Sequence, residues 1–215
     1  MIVLFLDTET TGLPEGRNTS IYDTHKWPYV IQLSYIIFDT DKKEVVHTFD
    51  SVICLNEDVC ISDKSISMHG ITRERSREEG VSMRNSLIEL NDNLSSVDLI
   101  VGHNISFDKK VMIVENIRHK IYSLFPKRKI FCTMKEYKGF CDIKKEGGDG
   151  VCYVKYPTLC ELYEKIYDNK PKNLHNSYVD VLVCARCYMQ REYGVDILNE
   201  SETFKVEWDG NIGSS

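Results

Sequence analysis

Apolar residues run without a break from Ile2 to Leu6 and stop at Asp7. Such a run of strand formers, with no polar alternation, predicts a strand covered on both faces. The strand signal returns at residues 30–39, with Ile31, Leu33, Tyr35 and Ile37 on one face, and at residues 45–54. The short charged link at 40–44 suits a hairpin, so the chain is expected to begin with three strands as antiparallel neighbours. A short helix closed by Gly70 is expected between Cys60 and Thr72. Residues 78–96 then carry Met83, Leu87, Leu90 and Leu94 at helical spacing. Residues 97–103 read as another buried strand. After it, Asn104 is placed as N-cap of a helix whose stripe is Phe107, Val111, Val114, Ile117 and Ile121. A short strand is expected at 129–133. Pro157 is expected to open a helix with Leu159, Leu162, Tyr163 and Ile166 inward, and the last long helix is expected at 177–193. The pattern gives an α/β domain with one sheet over residues 1–195, followed by a polar tail at 196–215 that is expected to be mobile at its end.

Two stretches break this order. Residues 15–29 are polar and irregular and follow the first strand directly, with Lys26 and Trp27 inside. Residues 136–155 carry a Gly147-Gly148-Asp149-Gly150 turn signal, which predicts a flexible hairpin at about 139–156. Lys144, Lys145 and Lys155 give it local positive charge. It reads either as a solvated surface hairpin or as an arm touching a nucleic-acid backbone.

The candidate chemistry lies where the first strand ends. Strand side chains alternate, so Asp7 and Glu9 project to one side and Thr8 to the other. Thr10, Thr11 and Gly12 then turn the chain. Two carboxylates on one face repel, and a divalent cation is the simplest compensation. Asp108 falls in the first turn of its helix, where the helix dipole alone favours an acid. His175 and Asp180 flank the entrance of the last long helix.

Three strings resemble the DEDD superfamily of 3′→5′ exonucleases: DTETTGL from Asp7, GHNISFD ending at Asp108, and HNSYVD from His175 to Asp180. The His-x4-Asp spacing resembles the His branch of that family. The other branch has Tyr four residues before the Asp, and that position here is Asn176. A His-Gly-Ile-Thr string typical of the family stands at 69–72, and the resemblance runs to about residue 193, with residues 136–155 matching less well. It implies a ribonuclease H-like fold, a mixed five-stranded sheet with helices on both faces. It further implies two divalent cations, Mg²⁺ with Mn²⁺ as a substitute, held by Asp7, Glu9, Asp108 and Asp180. In that scheme Asp7 bridges the ions, Glu9 and Asp180 complete the first site, and Asp108 supports the second mainly through water. His175 is then the general base, since an imidazole titrates near working pH. The terminal nucleotide is expected against Thr10, Gly12, Leu13, Asn104 and Phe107. The implied reaction is hydrolysis from a free 3′ end to nucleoside 5′-monophosphates, on DNA before RNA. RNA trimming is the alternative, and a non-catalytic binding module is disfavoured because all five site residues are present.

Composition adjusts this picture at three points. The 215-residue chain carries a formal net charge of −6, so a grip on nucleic acid must be local or metal-mediated. No apolar stretch reaches about eighteen residues and no basic leader precedes Asp7, so an intracellular, soluble protein with no membrane role is expected. The 8 cysteines are then reduced thiols. Cys184 and Cys187 form a C-x-x-C without further ligands nearby, which favours buried apolar residues over zinc. The expected partners are a single-stranded or frayed nucleic acid with a free 3′ end and a polymerase or other replication or repair protein.

Overall fold

The computed structural model describes residues 1–148, 150–172 and 174–213. Strand β1 (Ile2–Thr10) lies at the centre of a five-stranded sheet with β2 (Val30–Asp39), β3 (Glu44–Val52), β4 (Leu99–Gly102) and β5 (Lys129–Cys132). The order is β3-β2-β1-β4-β5. β1 pairs antiparallel to β2 and parallel to β4, and β4 pairs parallel to β5. The three leading strands are antiparallel neighbours, as the sequence predicts.

Alternation along β1 sorts the core into two layers. Val3 and Phe5 face α8 (Ser177–Tyr193), α7 (Leu159–Tyr167) and the C-terminal helices. Leu4 and Leu6 face α3 (Met83–Leu94) and α4 (Ser106–Arg118). The sheet is therefore covered on both faces, which is why the β1 run is continuously apolar. Cys184 and Cys187 are buried on α8 as free thiols.

The single helix expected at 78–96 is two. α1 (Asp63–His69) ends at Gly70 as expected, but α2 (Arg73–Glu79) then stops at Gly80 and Ser82 caps α3. The break is steric and hydrogen-bonded. A Cβ on Gly80 would stand 2.5 Å from the Cys54 amide nitrogen. Val81 donates to the Val52 carbonyl and accepts from Cys54, both at 2.9 Å.

Asn104 is not the N-cap of α4. It sits at φ +64° with Ile105 at the cap position, and its carbonyl accepts the Phe107 N–H at 2.9 Å. Pro157 does not open α7 either. Thr158 is the cap, in a capping box with Glu161, and Pro157 precedes it.

The segment expected as a flexible hairpin at 139–156 is entered through two short helices, α5 (Thr133–Glu136) and α6 (Lys138–Cys141), the second of which ends inside it. The hairpin proper is β6 (Lys144–Glu146) paired with β7 (Cys152–Val154). Asp149 of its expected tip lies outside the described residues, as does Asn173.

The stretch after Gly194, expected to be a polar tail, folds as α9 (Ile197–Glu200) and α10 (Glu202–Asn211). Ile197, Phe204 and Trp208 are buried in the α7–α8 layer. Arg186 of α8 forks onto Asp196 at 2.9 and 2.7 Å and stacks near the Trp208 ring. Four buried apolar residues, Ile212 being the fourth, stand among many polar ones, which made this region read as loose.

One side chain makes many of the contacts that hold the loop after β1. Arg118 donates to the carbonyls of Thr24 (2.6 Å), Trp27 (2.7 Å) and Pro28 (2.9 Å) and to Glu115 Oε1 (2.7 Å). Its guanidinium carbon lies 3.7 Å from the Tyr29 ring centroid. Glu115 is buried and also accepts the Val30 N–H at 3.1 Å. Trp27 is packed inside and its Nε1 donates to the Ser20 carbonyl. Arg118→Ala would leave the buried Glu115 without its guanidinium, with the Val30 N–H and the His119 ring as its remaining polar neighbours, a change that costs about 3 kcal/mol or more. The expected melting temperature falls by roughly 6–12 °C. A thermal melt shifted by under about 1 kcal/mol would mean the loop is held elsewhere.

Candidate active site

The two-layer alternation that builds the core also builds the site. Asp7 and Glu9 continue the face of Val3 and Phe5 and meet α8, whose first turn supplies Asp180. One ligand atom from each of Asp7, Glu9 and Asp180 lies within 4.8 Å of the others. Thr8 continues the opposite face and meets α4. Its N–H and Oγ1 donate to Asp108 Oδ1 at 3.1 and 2.8 Å. Asp108 is 4% exposed. The four acids thus come from β1 and from the N-terminal turns of helices on opposite faces of the sheet.

The charged neighbours that act on Asp7 and Glu9 are themselves acidic, and the electrostatics register that. Burial, and then the neighbouring carboxylates Asp108, Asp180 and Glu9, hold Asp7 well above the usual carboxylate range. Burial followed by Asp180 and Asp108 pushes Glu9 up to about 8. Burial pushes Asp108 to about 7 against the hydrogen bonds from Thr8, and pushes Asp180 to about 7 against the His175 N–H. Asp180 Oδ1 is buried without a hydrogen-bond partner. Clustered carboxylate oxygens, one of them orphaned, are the donor set a hard divalent cation takes.

His175 stands immediately before α8 and is exposed. It adopts φ +74°, a left-handed conformation, and its backbone N–H is directed at the Asp180 carboxylate. The Asn176 side chain caps α8 by accepting from Tyr178 and Val179. The helix start that carries Asp180 is also tied to the sheet. The buried hydroxyls of Ser177 and Ser34 bond each other, and Ser34 donates to Asp50 at 2.7 Å. Ser34 is the β2 residue opposite Asp7.

The turn after β1 is pinned from two sides. Thr11 donates to the Tyr29 carbonyl at 2.9 Å, its hydroxyl accepts the Tyr29 N–H, and its carbonyl accepts from Ser62. Thr10 Oγ1 donates to the Gly12 carbonyl at 2.8 Å. Leu13, at the end of this turn, is 76% exposed. Phe107 is half-buried next to Asp108, and Asn104 is exposed. At the end of β4, Gly102 allows close approach, since a Cβ there would stand 2.8 Å from the Leu6 carbonyl oxygen. The next residue, His103, lies between Thr133 Oγ1 (3.0 Å) and the Pro157 carbonyl (3.1 Å). A carbonyl only accepts, so Nε2 carries the proton, and burial pushes this imidazole down to about 4. It is a neutral structural tie.

Thr8 is the candidate site residue that sequence reasoning passes over. Alternation correctly turns it away from Asp7, but only the packing of α4 shows what it meets there. Thr8→Val keeps the volume and removes the hydroxyl donor. Orienting groups behind a metal ligand are typically worth 10–100-fold in affinity. A loss of about that size is expected in the cation concentration for half-maximal activity. A shift under about twofold would mean Asp108 is oriented without Thr8.

Residues 4–188 match the family model RNase_T, described as exonuclease. No curated protein sequence matches the chain. Among solved structures, the chain is similar to E. coli exonuclease I in complex with a dT13 oligonucleotide, with a TM-score of 0.66 and 17% identity over 88% of this chain and 41% of that one. It is also similar to a product-bound exonuclease I, with a TM-score of 0.63 and 16% identity over 95% of this chain and 45% of that one. The chain spans less than half the length of these exonuclease I chains. The five-stranded mixed sheet with helices on both faces is the ribonuclease H-like exonuclease fold. Among the described residues no helix is long and apolar enough to cross a membrane.

Proposed function

The chain belongs to the exonuclease family, and from that premise we propose that it hydrolyses single-stranded DNA from a free 3′ end to nucleoside 5′-monophosphates, as a member of the His branch. The observation that carries this reading is the convergence of Asp7, Glu9 and Asp180 within 4.8 Å, with buried Asp108 adding its field to both β1 acids. The oligonucleotide in the E. coli exonuclease I complex supports a single-stranded substrate, and its deoxythymidine composition supports DNA before RNA.

Asp7, Glu9, Asp108 and Asp180 would hold two divalent cations, with Mg²⁺ as the physiological ion and Mn²⁺ as a substitute. When bound, these supply Lewis acidity to the phosphate and acidify the attacking water. The rest is done by the chain. His175 accepts a proton from the water whose oxygen attacks phosphorus. The P–O3′ bond breaks, the electron pair stays on the 3′ oxygen of the penultimate nucleotide, and the 5′-phosphate leaves with the terminal nucleoside. The pinned Thr10–Gly12 turn and the exposed Leu13 hold the terminal nucleotide, with Phe107 and Asn104 on the other side. Contacts to backbone and ring faces carry no base identity, so little sequence preference is expected.

The test is digestion of matched DNA and RNA oligomers, single- and double-stranded, labelled at either end, with the products sized. Single-nucleotide shortening from the 3′ end, fastest on single-stranded DNA, is expected. Internal cuts or shortening from the 5′ end would overturn the reading.

A further inference from the structure

A substrate strand held by its 3′ end at the carboxylates must leave across the surface. β1, β4 and β5 run parallel, so their carboxyl ends lie on one edge of the sheet. Asp7 and Glu9 are on the end of β1, and Asp108 opens the helix after β4. On that edge the chain passes from β5 into α5, α6 and the β6–β7 hairpin.

That segment is fastened to the site. Lys135 Nζ donates at 3.0 Å to Ser106 Oγ, on the first residue of the helix that carries Asp108. His103 ties its two ends, Thr133 and Pro157, to the end of β4. On this anchored segment Tyr153 and Tyr156 are 48% and 50% exposed. Lys138 Nζ lies 4.8 Å from the Tyr156 ring centroid, and Lys145 pairs directly opposite Tyr153 in the hairpin. Glu136, Asp142 and Glu146 are exposed on the same segment, so attraction for phosphates alone does not account for it. Ring faces flanked by cations suit unpaired bases instead.

We propose that Tyr153 and Tyr156, with Lys138 and Lys145 beside them, form a stacking track for the unpaired bases upstream of the scissile bond. The proposal rests on the exonuclease reading above and goes beyond it by naming where the rest of the strand lies. Stacking of a base on an aromatic ring is worth about 1–3 kcal/mol, so loss of both rings should weaken binding by about tenfold or more.

The experiment measures binding of a long oligodeoxythymidylate by fluorescence anisotropy in EDTA, which separates binding from hydrolysis. The parent and the double variant Tyr153→Ala, Tyr156→Ala are each compared on an intact strand and on a strand with abasic upstream positions. The double variant should bind the intact strand about tenfold more weakly or worse. Abasic substitution should weaken the parent by a similar factor and the variant by less than about threefold. An abasic penalty equal in parent and variant, or no binding difference between the two proteins, would overturn the track. Release of mononucleotide from the 3′ end of the same intact strand by the parent with Mg²⁺ is measured beside it. Failure there sinks the exonuclease reading and leaves the ring–base coupling to be judged from the anisotropy alone.

Discussion

Asp7→Asn should abolish cleavage and, without divalent cations, raise the melting temperature at pH 8. Both effects come from one cluster of like charge. In the folded chain Glu9 is raised to about 8, Asp108 and Asp180 to about 7, and Asp7 well above its ordinary value. In the unfolded chain all four ionise near pH 4. Between these limits the folded state binds more protons than the unfolded state, so cation-free stability falls as pH rises from about 4 to about 8. Removing the Asp7 charge relieves its three neighbours. A gain of about 1–2 kcal/mol, or roughly 2–8 °C, is expected at pH 8 and little at pH 5. Mg²⁺ should stabilise the parent most at pH 8, where the carboxylates must otherwise be charged together. Glu9→Gln and Asp180→Asn should move stability and activity in the same directions. A variant with near-normal turnover and an unchanged Mg²⁺ requirement would remove that residue from the cation site. A cation-free melting temperature lowered at pH 8 would show that the cluster is not repulsive.

His175→Ala should lower kcat by roughly a hundred- to ten-thousand-fold, the usual worth of a positioned acid–base group. All four carboxylates remain, so cation affinity should stay close to that of the parent. Alanine leaves the backbone N–H in place to face Asp180 and meets a steric cost at φ +74° similar to that of histidine. The loss should fall on kcat, with KM close to that of the parent, because a proton acceptor acts only as the water attacks. Steady-state kinetics of both proteins, with cation binding as control, decide it. An alanine variant with kcat within a few-fold of the parent would remove His175 from the proton transfer.

The legible part of this molecule was whatever one period of the backbone could report. The β1 run gave a doubly covered strand, and the two-residue alternation gave the shared face of Asp7 and Glu9. Ser177–Tyr193 was readable to the residue because Asn176 and Gly194 mark both ends. What failed was decided by contacts distant in sequence. Gly80 breaks a helix because Cys54 passes beside it. Phe204 and Trp208 turn a polar tail into a packed helix because α7 and α8 leave a surface for them. Thr8 matters because α4 brings Asp108 to it. Asn104 has the chemistry of a cap, yet the turn out of β4 puts it one residue early and left-handed. The three motifs named the acids; the packing of two helices on opposite faces of β1 brings them together.

The most direct test of cation-dependent cleavage at Asp7 is label release from a single-stranded DNA labelled on its 3′-terminal nucleotide, followed as Mg²⁺ is titrated into the parent and into Asp7→Asn. The first labelled product should be a nucleoside 5′-monophosphate. Its rate should saturate with Mg²⁺ and return to zero with EDTA, and the variant should release none. Label released as an oligonucleotide, or at a rate indifferent to EDTA or to the loss of Asp7, would contradict a carboxylate-held cation site acting on the 3′ end.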